Sequence, residues 1–100
     1  MANLGEIEQA INLILDSGIQ RKKITILHCT TEYPAPPDQI NLRAMLTLRD
    51  AFQMEVGFSD HSQGLEIPFA AVALGAVIVE RHFTLDREME GPDHAASLTP

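Results

Sequence analysis

One cysteine, Cys29, is all that this chain contains. An internal disulfide is therefore excluded, and the lone thiol suits a reducing cytoplasm. No apolar run approaches the length of a bilayer span. The opening MANLGEIEQA lacks the charged-then-apolar order of a signal peptide. Low-complexity tracts, linker-like stretches and internal repeats are missing too, which argues against disorder and against a second domain. Basic residues are few: 7 Lys and Arg against 14 Asp and Glu give a formal charge of −7. That balance argues against general binding to nucleic acid or to a membrane surface. An anionic substrate stays possible, because a local site can be cationic inside an acidic protein. What remains is 100 residues of ordinary apolar content, enough for one domain with a modest core over residues 1–100.

The most informative stretch is VGFSDHSQGLEIPFAAVALGAVIVERHFT, residues 56–84. Apolar runs at 56–58 and 77–79 read as strands. Between them Ile67, Ala70, Ala71 and Leu74 recur at helical spacing. Each strand runs into a polar cluster, Ser59, Asp60 and His61 after the first, Glu80, Arg81 and His82 after the second. In a βαβ unit the strands are parallel, so both clusters emerge at one end of the sheet. That end is where α/β folds bind ligands. Two imidazoles, carboxylates and a hydroxyl can therefore meet in one pocket. A histidine at a strand end is also commonly a surface or hydrogen-bonded residue, so spacing alone leaves a shared metal or catalytic site and a plain structural role both open.

Upstream, Asn3 with Glu6 three residues later marks a helix start. Ile7, Ala10, Ile11, Ile14 and Leu15 keep one apolar face, and Gly18 supplies a stop. A short buried strand is expected at 24–27, ending in HCTTEY and followed by Pro34, Pro36 and Pro37, which should break any helix and stiffen the loop. A second helix is expected from near Asn41, burying Leu42, Met45, Leu46 and Phe52. The tail LDREMEGPDHAASLTP shows no sustained period and reads as loop. The order helix, strand, helix, strand, helix, strand means a parallel α/β fold. Three functional-looking strand ends in succession favour a (βα)₈ barrel over a doubly wound sheet. Three strands cannot close a barrel, so the expectation is a half barrel belonging to a larger enzyme.

LHCTTEYPAP, NLRAML, GFSDHS, VERHFTLD and GPDHAASL, in that order, resemble the sialic acid synthase family of N-acetylneuraminate, legionaminate and pseudaminate synthases. The resemblance covers the whole chain and implies the C-terminal part of a TIM-barrel catalytic domain. It lacks the family's N-terminal half, with most phosphate ligands and a catalytic glutamate, and the C-terminal antifreeze-like domain. The activity implied is condensation of phosphoenolpyruvate with an open-chain N-acetylated hexosamine such as N-acetylmannosamine. The products are a nine-carbon 2-keto sugar acid and phosphate. By the same resemblance, His61 and His82 hold a divalent cation, Mn²⁺ or Mg²⁺, that polarises the sugar aldehyde. Ser59 binds the phosphate of phosphoenolpyruvate, Glu80 contacts the sugar at the reacting centre, and Tyr33, Thr31 and Asp93 bind the sugar. Thr31 stands where some members carry asparagine, a departure that bears on which sugar is used. The intact enzyme is expected to be a cytoplasmic homodimer. Asp60 is expected to orient a neighbour, and His28 and Cys29 to pack as strand residues. His94 and Arg81 receive no role. The rival readings are a standalone α/β binding module without catalysis and a metal-dependent hydrolase in which the same histidines activate water.

Overall fold

The first helix begins where the sequence supplies a cap. In the computed structural model, which describes residues 1–100, the Glu6 N–H donates to Asn3 Oδ1 at 3.0 Å and the Asn3 N–H to Glu6 Oε2 at 2.7 Å. This reciprocal box satisfies two donors that a helix start otherwise leaves free. It opens α1, Leu4–Asp16, and Gly18 follows the helix at φ +94°. The expected apolar face is only partly used: Ile11 is buried, whereas Ile14 remains 42% exposed.

Three strands follow, β1 (Thr25–Cys29), β2 (Glu55–Asp60) and β3 (Val79–Arg81), in one parallel sheet of order β1-β2-β3. The short helix α2 (Pro37–Ile40) and helix α3 (Ala44–Phe52) link β1 to β2, and α4 (Glu66–Ala73) links β2 to β3. The alternating parallel α/β order is therefore as expected. No helix is long and apolar enough to cross a membrane.

Several boundaries differ from the sequence reading. The proline loop does contain a helix, because Pro37 sits in its first turn, where a missing N–H and a fixed φ cost nothing. Asn41 does not start the next helix; it ends α2 in the left-handed region at φ 45°, and α3 begins at Ala44. Leu48, not foreseen, is buried with Met45. The strands reach further than their apolar runs: β2 takes in Ser59 and Asp60, and β3 lies at Val79–Arg81, with Val77 and Ile78 already bonded to β2 ahead of it. Polar residues can end a strand because ladder bonds come from the backbone, not the side chain. The tail is not featureless either. A 3₁₀ turn spans His94–Ala96, and Leu98 bridges in parallel to Phe83. There the Leu98 N–H donates to the His82 carbonyl at 2.9 Å and the Thr84 N–H to the Leu98 carbonyl at 2.8 Å.

Alternation along the strands divides the sheet into two faces. Val56 and Phe58 of β2 lie on the face covered by α3 and α4, in a core with Ala35, Ile40, Met45, Leu48 and Ala71. Burying Phe58 or Met45 contributes about 1.5–3 kcal/mol each. His28, in register with Phe58, belongs to this face. It is buried as expected, and its Nε2–H donates to the Ile40 carbonyl at 2.6 Å, so the burial leaves no polar atom stranded. The opposite face carries Leu27, Gly57 and Ile78 across the sheet, and beyond them the polar strand ends.

Gly57 is required by crowding. A Cβ there would run into Leu27 Cδ2 and would sit 2.7 Å from the Ile78 carbonyl oxygen. Gly57→Ala is expected to lower stability by about 1–3 kcal/mol, the usual cost of overpacking. The shift in urea midpoint at unchanged slope measures it, and an unshifted midpoint would mean that Leu27 and the Ile78 backbone both give way freely.

Candidate active site

Register builds the site in two rows. Ser59 pairs with Glu80, and the Ser59 hydroxyl donates to Glu80 Oε1 at 2.7 Å. Two residues further along each strand, on the same face, stand His61 and His82. Their ring centroids are 4.9 Å apart, edge to face at 60°. The Tyr33 ring covers both, 4.4 Å from His61 and 5.7 Å from His82, nearly parallel to the latter at 18°. Its loop is stitched to the site by the Ala35 N–H, which donates to the His61 carbonyl at 2.8 Å.

Hydrogen bonding decides how the imidazoles face. His61 Nδ1 lies 2.8 Å from the Thr30 carbonyl, which can only accept. Nδ1 therefore carries the proton, and Nε2 presents a lone pair. His82 Nδ1 has Asp93 Oδ2 in its neighbourhood, 3.7 Å away and beyond hydrogen-bond reach. His61 alone thus has a hydrogen-bonded outer partner on Nδ1, the kind of contact that orients histidines in metal sites. The donor set fits a divalent cation only as a partial shell. No group of three or more His, Cys, Asp or Glu side chains converges to hold an ion. A closed four-ligand zinc centre does not match this set. Two neutral nitrogens suit an ion whose other positions go to substrate oxygens.

The other candidates are placed unevenly. Asp93 reaches His82 and lines a cavity of about 380 Å³ with His82 and His94. Thr31 follows the residue whose carbonyl bonds His61. It is exposed and lines a separate, mostly apolar cavity of about 590 Å³ bounded by the start of α1, β1 and α3. Cys29 Sγ lies 3.8 Å from His61 Nδ1, in packing contact with the site. His94 is engaged locally: the Thr84 hydroxyl donates to the Asp86 carbonyl at 3.0 Å and accepts from His94 Nδ1 at 2.7 Å.

Arg81, which like His94 received no role from the sequence, has one in the structure. Its side chain is 7% exposed, and Nη1 lies 3.2 Å from Oδ2 of the fully buried Asp60. Asp60 in turn accepts from the Ser62 N–H and hydroxyl at 2.9 and 2.6 Å, the orienting part expected of it. Strand parity was the available signal. Arg81 alternates with His82 and so must share the face of Asp60, which alternates with His61.

The comparisons with known proteins agree with one another. The NeuB family matches residues 1–100. The N,N'-diacetyllegionaminic acid synthase of Campylobacter jejuni is 61% identical over 100 residues, covering 100% of this chain and 30% of the relative. The N-acetylneuraminate-9-phosphate synthase of Drosophila melanogaster is 39% identical over 101 residues, covering 100% of this chain and 27% of the relative. Among solved structures, the spore coat polysaccharide biosynthesis protein SpsE of Bacillus subtilis superposes with a TM-score of 0.87 at 41% identity, covering 98% of this chain and 27% of that one. The N-acetylneuraminic acid synthetase of Leptospira borgpetersenii, solved with citrate, gives 0.87 at 38% identity over 99% of this chain and 34% of that one. The chain spans under a third of the length of the first curated relatives it matches. With the family match running from the capped first helix to the last bridge residue and beyond, the chain belongs to the NeuB family.

Proposed function

We propose that the protein carrying this chain condenses phosphoenolpyruvate with an open-chain N-acetylated hexosamine, giving a nine-carbon 2-keto sugar acid and phosphate. The observation that carries the proposal is the pair of rows at the strand ends, Ser59 with Glu80 and His61 with His82 under Tyr33. The relatives' names supply the product class, nonulosonic acids. At 61% identity to an N,N'-diacetyllegionaminic acid synthase, the favoured substrate is a hexosamine bearing a second acetamido group. This reading also takes the three strands as part of a (βα)₈ barrel and residues 1–100 as one piece of its catalytic domain. The parallel order and the likeness to SpsE and the Leptospira synthetase support it.

In this reading each side chain has a distinct task. His61 and His82 offer Nε2 atoms to a divalent cation, Mn²⁺ or Mg²⁺, which when bound would act as a Lewis acid on the sugar aldehyde oxygen. The Thr30 carbonyl holds the His61 ring by Nδ1, and Asp93 stands 3.7 Å from His82 Nδ1. The Ser59 hydroxyl, donating to Glu80 in this state, can turn to a phosphate oxygen and free the carboxylate for a sugar hydroxyl. Tyr33 offers a flat apolar wall beside the rings, against which an N-acetyl group can lie, and its hydroxyl can bond the sugar. Asp93 provides a second acceptor for sugar hydroxyls.

Three outcomes test the proposal. In the full-length protein, phosphate release from phosphoenolpyruvate should depend on an N-acylated hexosamine, fastest with the diacetamido sugar. His61→Ala and His82→Ala should each lower turnover by more than about 100-fold, beyond the usual loss for an outer-sphere partner, with the double variant little worse than either single. Turnover unaffected by EDTA would sink the cation assignment.

Asp93→Asn and Tyr33→Phe separate sugar from enol. Losing a charge-assisted acceptor costs about 1.5–3 kcal/mol, so Asp93→Asn should raise the KM for the sugar by about 10- to 100-fold. The KM for phosphoenolpyruvate should stay within about twofold, because the carboxylate lies on the sugar side. Equal rises for both substrates would assign the loops to the fold alone. Finally, residues 1–100 produced alone should show no turnover, since both sheet edges are open and the phosphate site is incomplete. Measurable activity would favour a self-sufficient module.

A further inference from the structure

Asp60 and Arg81 are the last paired residues of the β2–β3 ladder, and the next residue on each strand is a site histidine. Their side chains meet on the face away from the imidazoles, directly behind them. Asp60 is 0% exposed and the Arg81 side chain 7%, so the pair is sheltered from water, where charge attraction is strong. The guanidinium also gathers three further groups. Its Nη1 donates to the Gly64 carbonyl at 2.5 Å, and its Nη2 donates to the Ser62 carbonyl at 2.6 Å and to the Ala96 carbonyl at 3.4 Å. One side chain thus ties together the end of β2, the loop that leaves His61 and the C-terminal segment that presents Asp93 to His82.

Asp60 is doubly committed. Its Oδ1 takes both bonds from Ser62, while Oδ2 has the charge of Arg81 beside it but no aligned hydrogen bond. Arg81 Nε is likewise without a partner. Such a pair is poor as a stabiliser, since the same volume of apolar side chain commonly does as well. Its placement is better explained by register. A planar fork can span several acceptors at fixed angles, which a flexible ammonium cannot.

We propose that Arg81 is a positioning residue: with Asp60 it clamps the ends of β2 and β3 and so fixes the separation and tilt of His61 and His82. The clamp itself follows from the fold. Its value to a bound cation rests on the reading of the two histidines given above.

The test uses full-length protein with ¹⁵N,¹³C-labelled histidine. In the wild type, nuclear Overhauser contacts between the His61 and His82 rings report the 4.9 Å approach. Arg81→Met should abolish these contacts. Because that variant strands a buried carboxylate and can fail to fold, Asp60→Asn/Arg81→Met is made beside it. The double variant removes both charges yet keeps an acceptor for Ser62. It should melt near the wild-type temperature and still lose the ring contacts. Arg81→Lys, which keeps the charge without the fork, should recover them only in part. Ring contacts retained in the folded double variant overturn the proposal, whatever else happens. Mn²⁺ titration, followed by paramagnetic broadening, reads the second level. If the wild type binds Mn²⁺, the double variant should bind about 10- to 100-fold more weakly. If the wild type binds no Mn²⁺ and the ring contacts still vanish in the variant, the clamp stands and the cation reading falls.

Discussion

Register between β2 and β3 is the constraint on which the rest of this structure depends. Side chains alternate along a strand, so a slip of one residue would send every group to the other face. His82 would then lie behind the sheet, and Arg81 would stand among the site residues. The aligned partners Ser59 with Glu80 and Asp60 with Arg81 instead present a hydrogen-bonded pair on one face and an ion pair on the other. Within these 100 residues β3 is an edge strand, so Val77, Ile78 and Val79 are exposed and the polar partners mark its register against β2.

The two faces answer to different physics. On the helix side, Val56, Phe58, Met45 and Ile40 pack to near-complete burial, and even His28 is absorbed by bonding a backbone carbonyl. On the other side, Gly57 lets Leu27 lie across β2, so an apolar layer sits beneath the Ser59–Glu80 row. Above that layer, His61 and Ser59 each have a hydrogen-bonding partner from a different segment, Thr30 and Glu80, and Asp93 lies 3.7 Å from His82. The polar groups of the two rows are thus borne by the strand ends, with a loop carbonyl orienting one of them.

What the sequence made legible was whatever depends on local pattern. The Asn3–Glu6 cap, the alternating order of elements and the convergence of Ser59, Glu80, His61 and His82 all follow from spacing and from parallel crossover geometry. Boundaries were harder. The ends of β2 and β3 are polar, and polarity conceals a strand whose ladder is held by backbone bonds. Pro37 looked like a breaker because a proline's effect changes sign between a helix interior and its first turn. Arg81 stayed unassigned because its partners, Ser62, Gly64 and Ala96, are distant in sequence and accept through carbonyls, which no side-chain motif records. Thr31 belongs to a matching block of residues and lines the cavity beside the start of α1, a neighbourhood that spacing along the chain does not record.

The bond from the Ala35 N–H to the His61 carbonyl has a dynamic consequence. It makes the stem of the Tyr33 loop and the backbone of His61 one mechanical body. Lifting the loop would break that bond, which contributes about 0.5–1.5 kcal/mol, and would pull on the histidine it is tied to. Turning the Tyr33 ring about its own side-chain torsions leaves that bond intact and gives up only the ring's contacts with His61 and His82. The cover over the two imidazoles is therefore a ring carried on a fixed post.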